Sequence, residues 1–190
     1  MIWQFRKTHK IVTITKKKVA LYLMQFFNIL VTMNRFEEAL FNFDLAIVRN
    51  PENSIFYYNK AIALDKMDRP EEALENCDQA IQKNPENADY YHDKGEIQYY
   101  NFSADTLGQM NRFEEALQNY DSAIQKNPEE SKYYNGKANT LNLMSRFEEA
   151  LYYYDQAILN DPENSGFYFN KGIANYVEFI STYIKFYDQI

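Results

Sequence analysis

Among 190 residues there are one cysteine, two histidines, five glycines and five prolines. A lone Cys77 excludes an internal disulfide framework. His9 and His92 are too few to complete a cysteine–histidine metal set with it, so no metal is expected. So little glycine and proline argues against a many-turned β fold. No long apolar run stands out either. Residues 19–33 are mostly apolar, but Gln25 and Asn28 interrupt them, and the stretch is shorter than the roughly 20 residues a membrane span needs. Catalytic signatures are also missing: there is no glycine-rich phosphate loop, no Gly-Lys-Ser/Thr, no His-Glu-x-x-His and no Gly-x-Ser-x-Gly, and no cofactor is implied.

Aromatics, by contrast, are abundant, with 17 Tyr and 14 Phe. Charge is plentiful and unevenly placed. Residues 1–18 carry six basic side chains and no acid, whereas the remainder holds 14 basic and 27 acidic residues, a balance of −13. An acidic body repels nucleic acid and anionic headgroups, so neither is expected as a partner of residues 19–190.

The strongest signal is a period. Pro51, Pro85, Pro128 and Pro162 are separated by 34, 43 and 34 residues, the middle interval being 34 plus nine. Each lies in one phrase, of which Lys-Asn-Pro-Glu-Asn at 83–87 is typical. Twelve residues before each proline stands an alanine (Ala39, Ala73, Ala116, Ala150), and five before it another (Ala46, Ala80, Ala123, Ala157). Eight before are Phe43, Cys77, Tyr120 and Tyr154, and six after are Tyr57, Tyr91, Tyr134 and Tyr168. Four residues beyond those tyrosines come Ala61, Gly95, Ala138 and Gly172. Apolar residues three and four apart form one face of an amphipathic helix, and the small residues let helix backbones approach. Proline preceded by Asn or Asp is expected to end one helix, and the Glu after it to begin the next. The Glu-Glu pairs at 37–38, 71–72, 114–115 and 148–149 suit the first turns of helices better than acid–base catalysis.

These columns resemble the tetratricopeptide repeat family. The resemblance implies an all-α, right-handed α-solenoid of helix–turn–helix repeats. The expected organisation is a basic tail over 1–18 and a repeat domain over 19–190. Repeats fall at about 20–53, 54–87, 88–130 with a nine-residue insertion, 131–164 and a partial 165–190. In the fifth, a second helix is expected over about 178–190. The insertion, within 95–104, predicts a bulge, kink or loop near Asn101, Phe102 and Ser103, because nine residues of plain helix would turn the next apolar face by half a turn.

In this family the first helices of successive repeats line a concave groove. The resemblance therefore implies a partner-binding face made of Tyr58, Asn59, Ile62, His92, Asp93, Glu96, Asn135, Asn139, Phe169, Asn170 and Ile173, with Met24, Gln25, Asn28 and Gly136 at matching positions. Asn59 and Asn170 occupy a column where the family often has asparagine, which can bond an extended peptide backbone; Asp93 and Gly136 break that ladder. Some members grip the C-terminal carboxylate of heat-shock chaperones with Lys and Arg. No window here supplies that clamp; Tyr58/Ile62, Asp93, Lys132/Gly136 is one of the three that fail. Asp89, Asp93 and Glu96 favour a basic or neutral ligand instead.

The function expected is a non-catalytic, cytoplasmic scaffold for a protein or peptide partner. Two alternatives remain open: the repeat arm of a larger enzyme such as a peptide glycosyltransferase, and an adaptor targeted or anchored through residues 1–33. Self-association through the apolar segment 177–190 is a further reading, because solenoids usually end on a polar cap.

Overall fold

The computed structural model describes residues 35–100 and 106–187, with backbone alone for 106–110 and Tyr187. The expected tail, the helix over 19–33 with its groove residues Met24, Gln25 and Asn28, and the segment Asn101-Phe102-Ser103 lie outside the described residues. Eight helices are described, with no strand among the described residues: α1 (Phe36–Arg49), α2 (Ser54–Lys66), α3 (Pro70–Lys83), α4 (Ala88–Tyr100), α5 (Thr106–Lys126), α6 (Ser131–Leu143), α7 (Phe147–Asn160) and α8 (Ser165–Tyr187). Each packs on its chain neighbours. The even-numbered helices α4, α6 and α8 also touch in succession, which makes an all-α solenoid.

Two kinds of turn alternate. In the first, the N–H of Asn50 bonds Ala46 O at 2.9 Å and closes α1, and the chain passes Pro51 and Glu52 before α2 begins. The side chain of Asn53 then accepts from Ile55 N at 3.2 Å, Asn87 from Asp89 N at 3.0 Å and Asn164 from Gly166 N at 3.1 Å. These are N-caps, which satisfy an otherwise orphan helix donor. Glu130 holds the same place before α6 without a side-chain cap bond. The expectation that the glutamate after proline opens a helix is corrected. Glu52 and Glu86 sit in the turn and reach forward to Lys83 (2.8 Å) and Lys126 (3.5 Å) in the last turns of α3 and α5.

The second turn leads from α2 to α3 and from α6 to α7. Asp68 and Ser145 take φ of 58°, a left-handed conformation that small polar residues tolerate. The N–H of the next residue reaches back to Leu64 O (3.0 Å) or Leu141 O (2.9 Å). In the fifth repeat the equivalent position, 14 residues after the first helical serine, is Phe179. A bulky aromatic there disfavours left-handed backbone, and the chain stays helical. The second helix expected from about 178 is thus absent, and α8 runs unbroken for 23 residues.

α5 has 21 residues where α3 and α7 have 14. The seven extra residues precede Phe113 and make nearly two full turns, so the face of Phe113, Ala116 and Tyr120 keeps its register.

The small columns form the helix contacts. Ala39, Ala73, Ala116 and Ala150 are fully buried, as are Ala61, Ala138, Ala80, Ala123 and Ala157. Beside them Phe43, Cys77, Tyr120 and Tyr154 fill the interior. Two further columns tie repeats together. Lys60, Lys94, Lys137 and Lys171 pair with Asp44, Asp78, Asp121 and Asp155, each 16 residues earlier on the preceding helix. The hydroxyls of Tyr91, Tyr134 and Tyr168 donate to the carbonyls of Pro85, Pro128 and Pro162.

Candidate functional site: a groove with two halves

The even-numbered helices carry every expected groove residue that lies among the described residues. Their side chains divide into two groups of different character.

The first group joins α2, α4 and the start of α6. Tyr58 O–H donates to Asp93, and His92 Nδ1 lies 2.8 Å from the other Asp93 oxygen. His92 Nε2 is 3.9 Å from Glu96. Asp89 accepts from Tyr133 O–H at 2.9 Å and pairs with Lys132 at 2.8 Å. Burial alone pushes Asp89 up, but the Lys132 and Tyr133 hydrogen bonds outweigh it and hold the carboxyl below its ordinary value. Burial holds Glu96 above its ordinary value, opposed by His92 and reinforced by Asp93. His92 is only 5% exposed, between the rings of Tyr120 and Tyr133, and Asn59 is 7% exposed. Both sit deeper than a groove surface requires. Ile62 packs against the core. Beyond the cysteine–histidine set considered in the sequence, ligand atoms of His92, Asp93 and Glu96 lie within 4.8 Å of one another. The two ring nitrogens face different carboxylates, however, and Asp93 also serves Tyr58, so the group reads as a closed hydrogen-bond knot.

The second group is open. Where α4 ends and α6, α7 and α8 meet, a hollow of about 410 Å³ is lined by Tyr99, Tyr100, Asn135, Asn139, Asn142, Leu143, Tyr154, Asn170 and Ile173. It contains four of the expected groove residues (Asn135, Asn139, Asn170, Ile173) and no charged side chain. Phe169, at 68% exposure, lies next to it in the chain. Asn170 Nδ2 donates to Asn135 Oδ1 at 3.0 Å, and Tyr154 O–H donates to Asn139 Oδ1 at 2.7 Å. Those bonds leave Asn135 Nδ2, Asn139 Nδ2 and Asn170 Oδ1 without partners among the described residues. Asn142 Oδ1 is a buried acceptor with no partner among the described residues, and buried polar atoms are normally paired.

Sequence reasoning missed Tyr99, Tyr100, Asn142, Leu143 and Tyr154 as part of this hollow. Tyr154 reads as core because its column is apolar, and its ring is indeed 1% exposed. The missed signal was its hydroxyl, which a purely apolar column would not need and which must find a partner when buried. Cys77 is fully buried, and burial, followed by the charge of Asp93, pushes its thiol up to about 12, far from a nucleophilic thiolate. No described helix is long and apolar enough to cross a membrane.

Two tetratricopeptide repeat profiles match the sequence, one over residues 54–87 and one over 103–165. No curated protein matches it. Solved structures share the fold at low identity. A MamA fragment from Desulfovibrio magneticus RS-1 is 16% identical with a TM-score of 0.68, covering 84% of this chain and 85% of that one. The pilF protein of Pseudomonas aeruginosa is 18% identical with a TM-score of 0.72, over 85% and 70%. YrrB, described as a repeat protein with an unusual peptide-binding site, is 20% identical with a TM-score of 0.61, over 82% and 76%.

Proposed function

The chain belongs to the tetratricopeptide repeat family, and we propose that it is a non-catalytic protein-interaction scaffold that seats a neutral, extended peptide segment in the asparagine-lined half of its groove. The observation that carries this reading is the unspent hydrogen-bonding capacity there. Among the described residues two amide donors and an amide oxygen are unpaired, and Asn142 adds a buried acceptor. An extended backbone presents donors and acceptors that complement side-chain amides, and Tyr99, Tyr100, Leu143 and Ile173 supply apolar walls for its side chains.

Charge supports a neutral ligand over a basic one. Asp89 and Asp93 already spend their acceptors on Lys132, Tyr133, Tyr58 and His92. Lys132 is committed to Asp89, so among the described residues the groove offers no free cation for a terminal carboxylate. A chaperone-tail clamp is therefore not proposed.

Peptides selected on the immobilised chain from a random library test the reading. Their affinity is expected to fall about 3- to 10-fold for each of Asn135→Ala and Asn170→Ala, the worth of one hydrogen bond. It should change little between about 0.05 and 0.5 M salt, since no charge lines the hollow. Selected peptides that bind both variants at full affinity, or whose binding collapses with salt, overturn it.

A further inference from the structure

α8 carries more exposed large apolar side chains than any other described helix, on a face that borders the hollow at Ile173. Phe169, Ile173, Tyr176, Val177, Phe179 and Ile184 are 39–68% exposed, although all six are large and apolar. The charged residues of α8, Lys171, Glu178 and Lys185, keep to the opposite side. Lys171 pairs with Asp155 of α7 at 2.5 Å, and Glu178 and Lys185 share a hollow with Arg146 and Glu149. Phe169, Ile173, Tyr176 and Ile180 are spaced four, three and four residues apart, the 3.5-residue repeat of a seam between two helices.

A small residue lies within the seam. Elsewhere this column meets another helix: Ala61 and Ala138 are fully buried. A Cβ built on Gly172 would touch nothing within 4 Å. The helix therefore keeps the close-approach position of its family column while the approaching helix is not among the described elements.

We propose that this face binds a second copy of the chain, α8 against α8, antiparallel about a two-fold axis at Tyr176. Three observations select that occupant. First, the six exposed side chains together present on the order of 600 Å² of apolar area, taking about 150–250 Å² for each large ring. A standard interface contributes about 800 Å² per partner, of which roughly 60% is apolar. Second, the face carries no charge with which to select a charged partner, and its own chemistry is the same on both sides of a two-fold. Third, it is complementary to itself in one direction only. With Tyr176 crossing its own copy, Gly172 lies opposite Ile180 and Ile173 opposite Phe179, so the empty volume at Gly172 receives a branched side chain. In a parallel pair Gly172 would meet Gly172 and Ile180 would meet Ile180, leaving a gap beside a collision. An antiparallel pair is also closed, so association stops at two.

Sedimentation equilibrium of the full 190-residue chain tests this. A two-fold species of twice the chain mass is expected. Tyr176→Glu with Phe179→Glu places four charges in the seam and should weaken the pair by at least about 100-fold, with helicity by circular dichroism unchanged, since both side chains are exposed in the single chain. Gly172→Leu is a second and opposite probe. A Cβ there touches nothing within 4 Å among the described residues of a single chain, so the larger side chain starts from open space, yet it fills the notch and should weaken dimerisation by about 10-fold or more. Asn135→Ala, which weakens peptide binding, should leave the dimer untouched. A folded monomer up to about 100 µM overturns the proposal. So does an open series of masses, or a dimer that survives both seam variants.

Discussion

Gly136 shows how one residue can be misread along a sequence and explained in space. In the groove column of Asn59, Asp93 and Asn170 it looks like a gap in an asparagine ladder. In the structure it faces the ring of Tyr120, where a Cβ would come within 2.6 Å of Cε1 and 2.8 Å of Cζ. Gly95, on the other flank, would bring a Cβ to 3.1 Å of the same ring. Tyr120 is thus held between two glycines of neighbouring first helices. The matching pairs in the other repeats are Phe43 with Asn59, Cys77 with Asp93 and Tyr154 with Asn170, so the close fit to a glycine belongs to Tyr120 in this repeat. Gly136→Ala should destabilise the fold by about 1–3 kcal/mol through overpacking, despite its better helix propensity. Thermal melting checks this, and Gly172→Ala, measured at concentrations where the chain is single, is the control, since its Cβ meets open space there and should stabilise α8. The close fit around Tyr120 was not legible in the sequence, because it depends on which side chains become spatial neighbours.

At the level of the helix, the period, the alanine columns and the proline turn were legible, because close helix contacts demand small residues at fixed spacing, whereas the left-handed turn at Asp68 and Ser145 was not. Nor was the cap. Asn53, Asn87 and Asn164 read as part of a turn phrase, and only the geometry assigns them the capping bond. Glu130 departs from the phrase, and its backbone (φ −84°, ψ 105°) nearly matches that of Asn53 (φ −88°, ψ 102°). Glu130→Asn should therefore add a cap and stabilise by about 0.5–1 kcal/mol, while Asn53→Ala should cost a similar amount. Urea denaturation of both variants decides it: equal midpoints would mean the cap carries no weight. The unbroken α8 belongs to the same lesson. Apolar character continues past Gly172 in the sequence, and a second helix seemed to echo the earlier repeats, yet the deciding feature was a single position. Where Asp68 and Ser145 turn left-handed, Phe179 does not.

Over the whole molecule, an all-α solenoid follows from the columns, and the first-helix face follows from the family resemblance. What the resemblance did not convey is that this face is uneven. Its N-terminal half, around Asp89, His92 and Asp93, is internally satisfied, and its C-terminal half, around Asn135, Asn139 and Asn170, keeps free amides. The difference arises from hydroxyls and a lysine of neighbouring helices (Tyr58, Tyr133, Lys132) that reach Asp93 and Asp89, pairings between repeats that a one-repeat reading does not show. The acidic residues that suggest a basic ligand in the sequence are therefore largely spoken for. Binding, on this account, concentrates at the junction of α4, α6 and α8.

The measurement closest to that claim is titration of the isotopically labelled chain with a selected neutral peptide, read on the side-chain amide resonances of asparagine. The account predicts that Asn135, Asn139 and Asn170 shift together while Asn76 and Asn119, on the second helices, stay fixed. Saturable binding that moves the backbone around Asp89–Glu96 and leaves those three amides in place would contradict it.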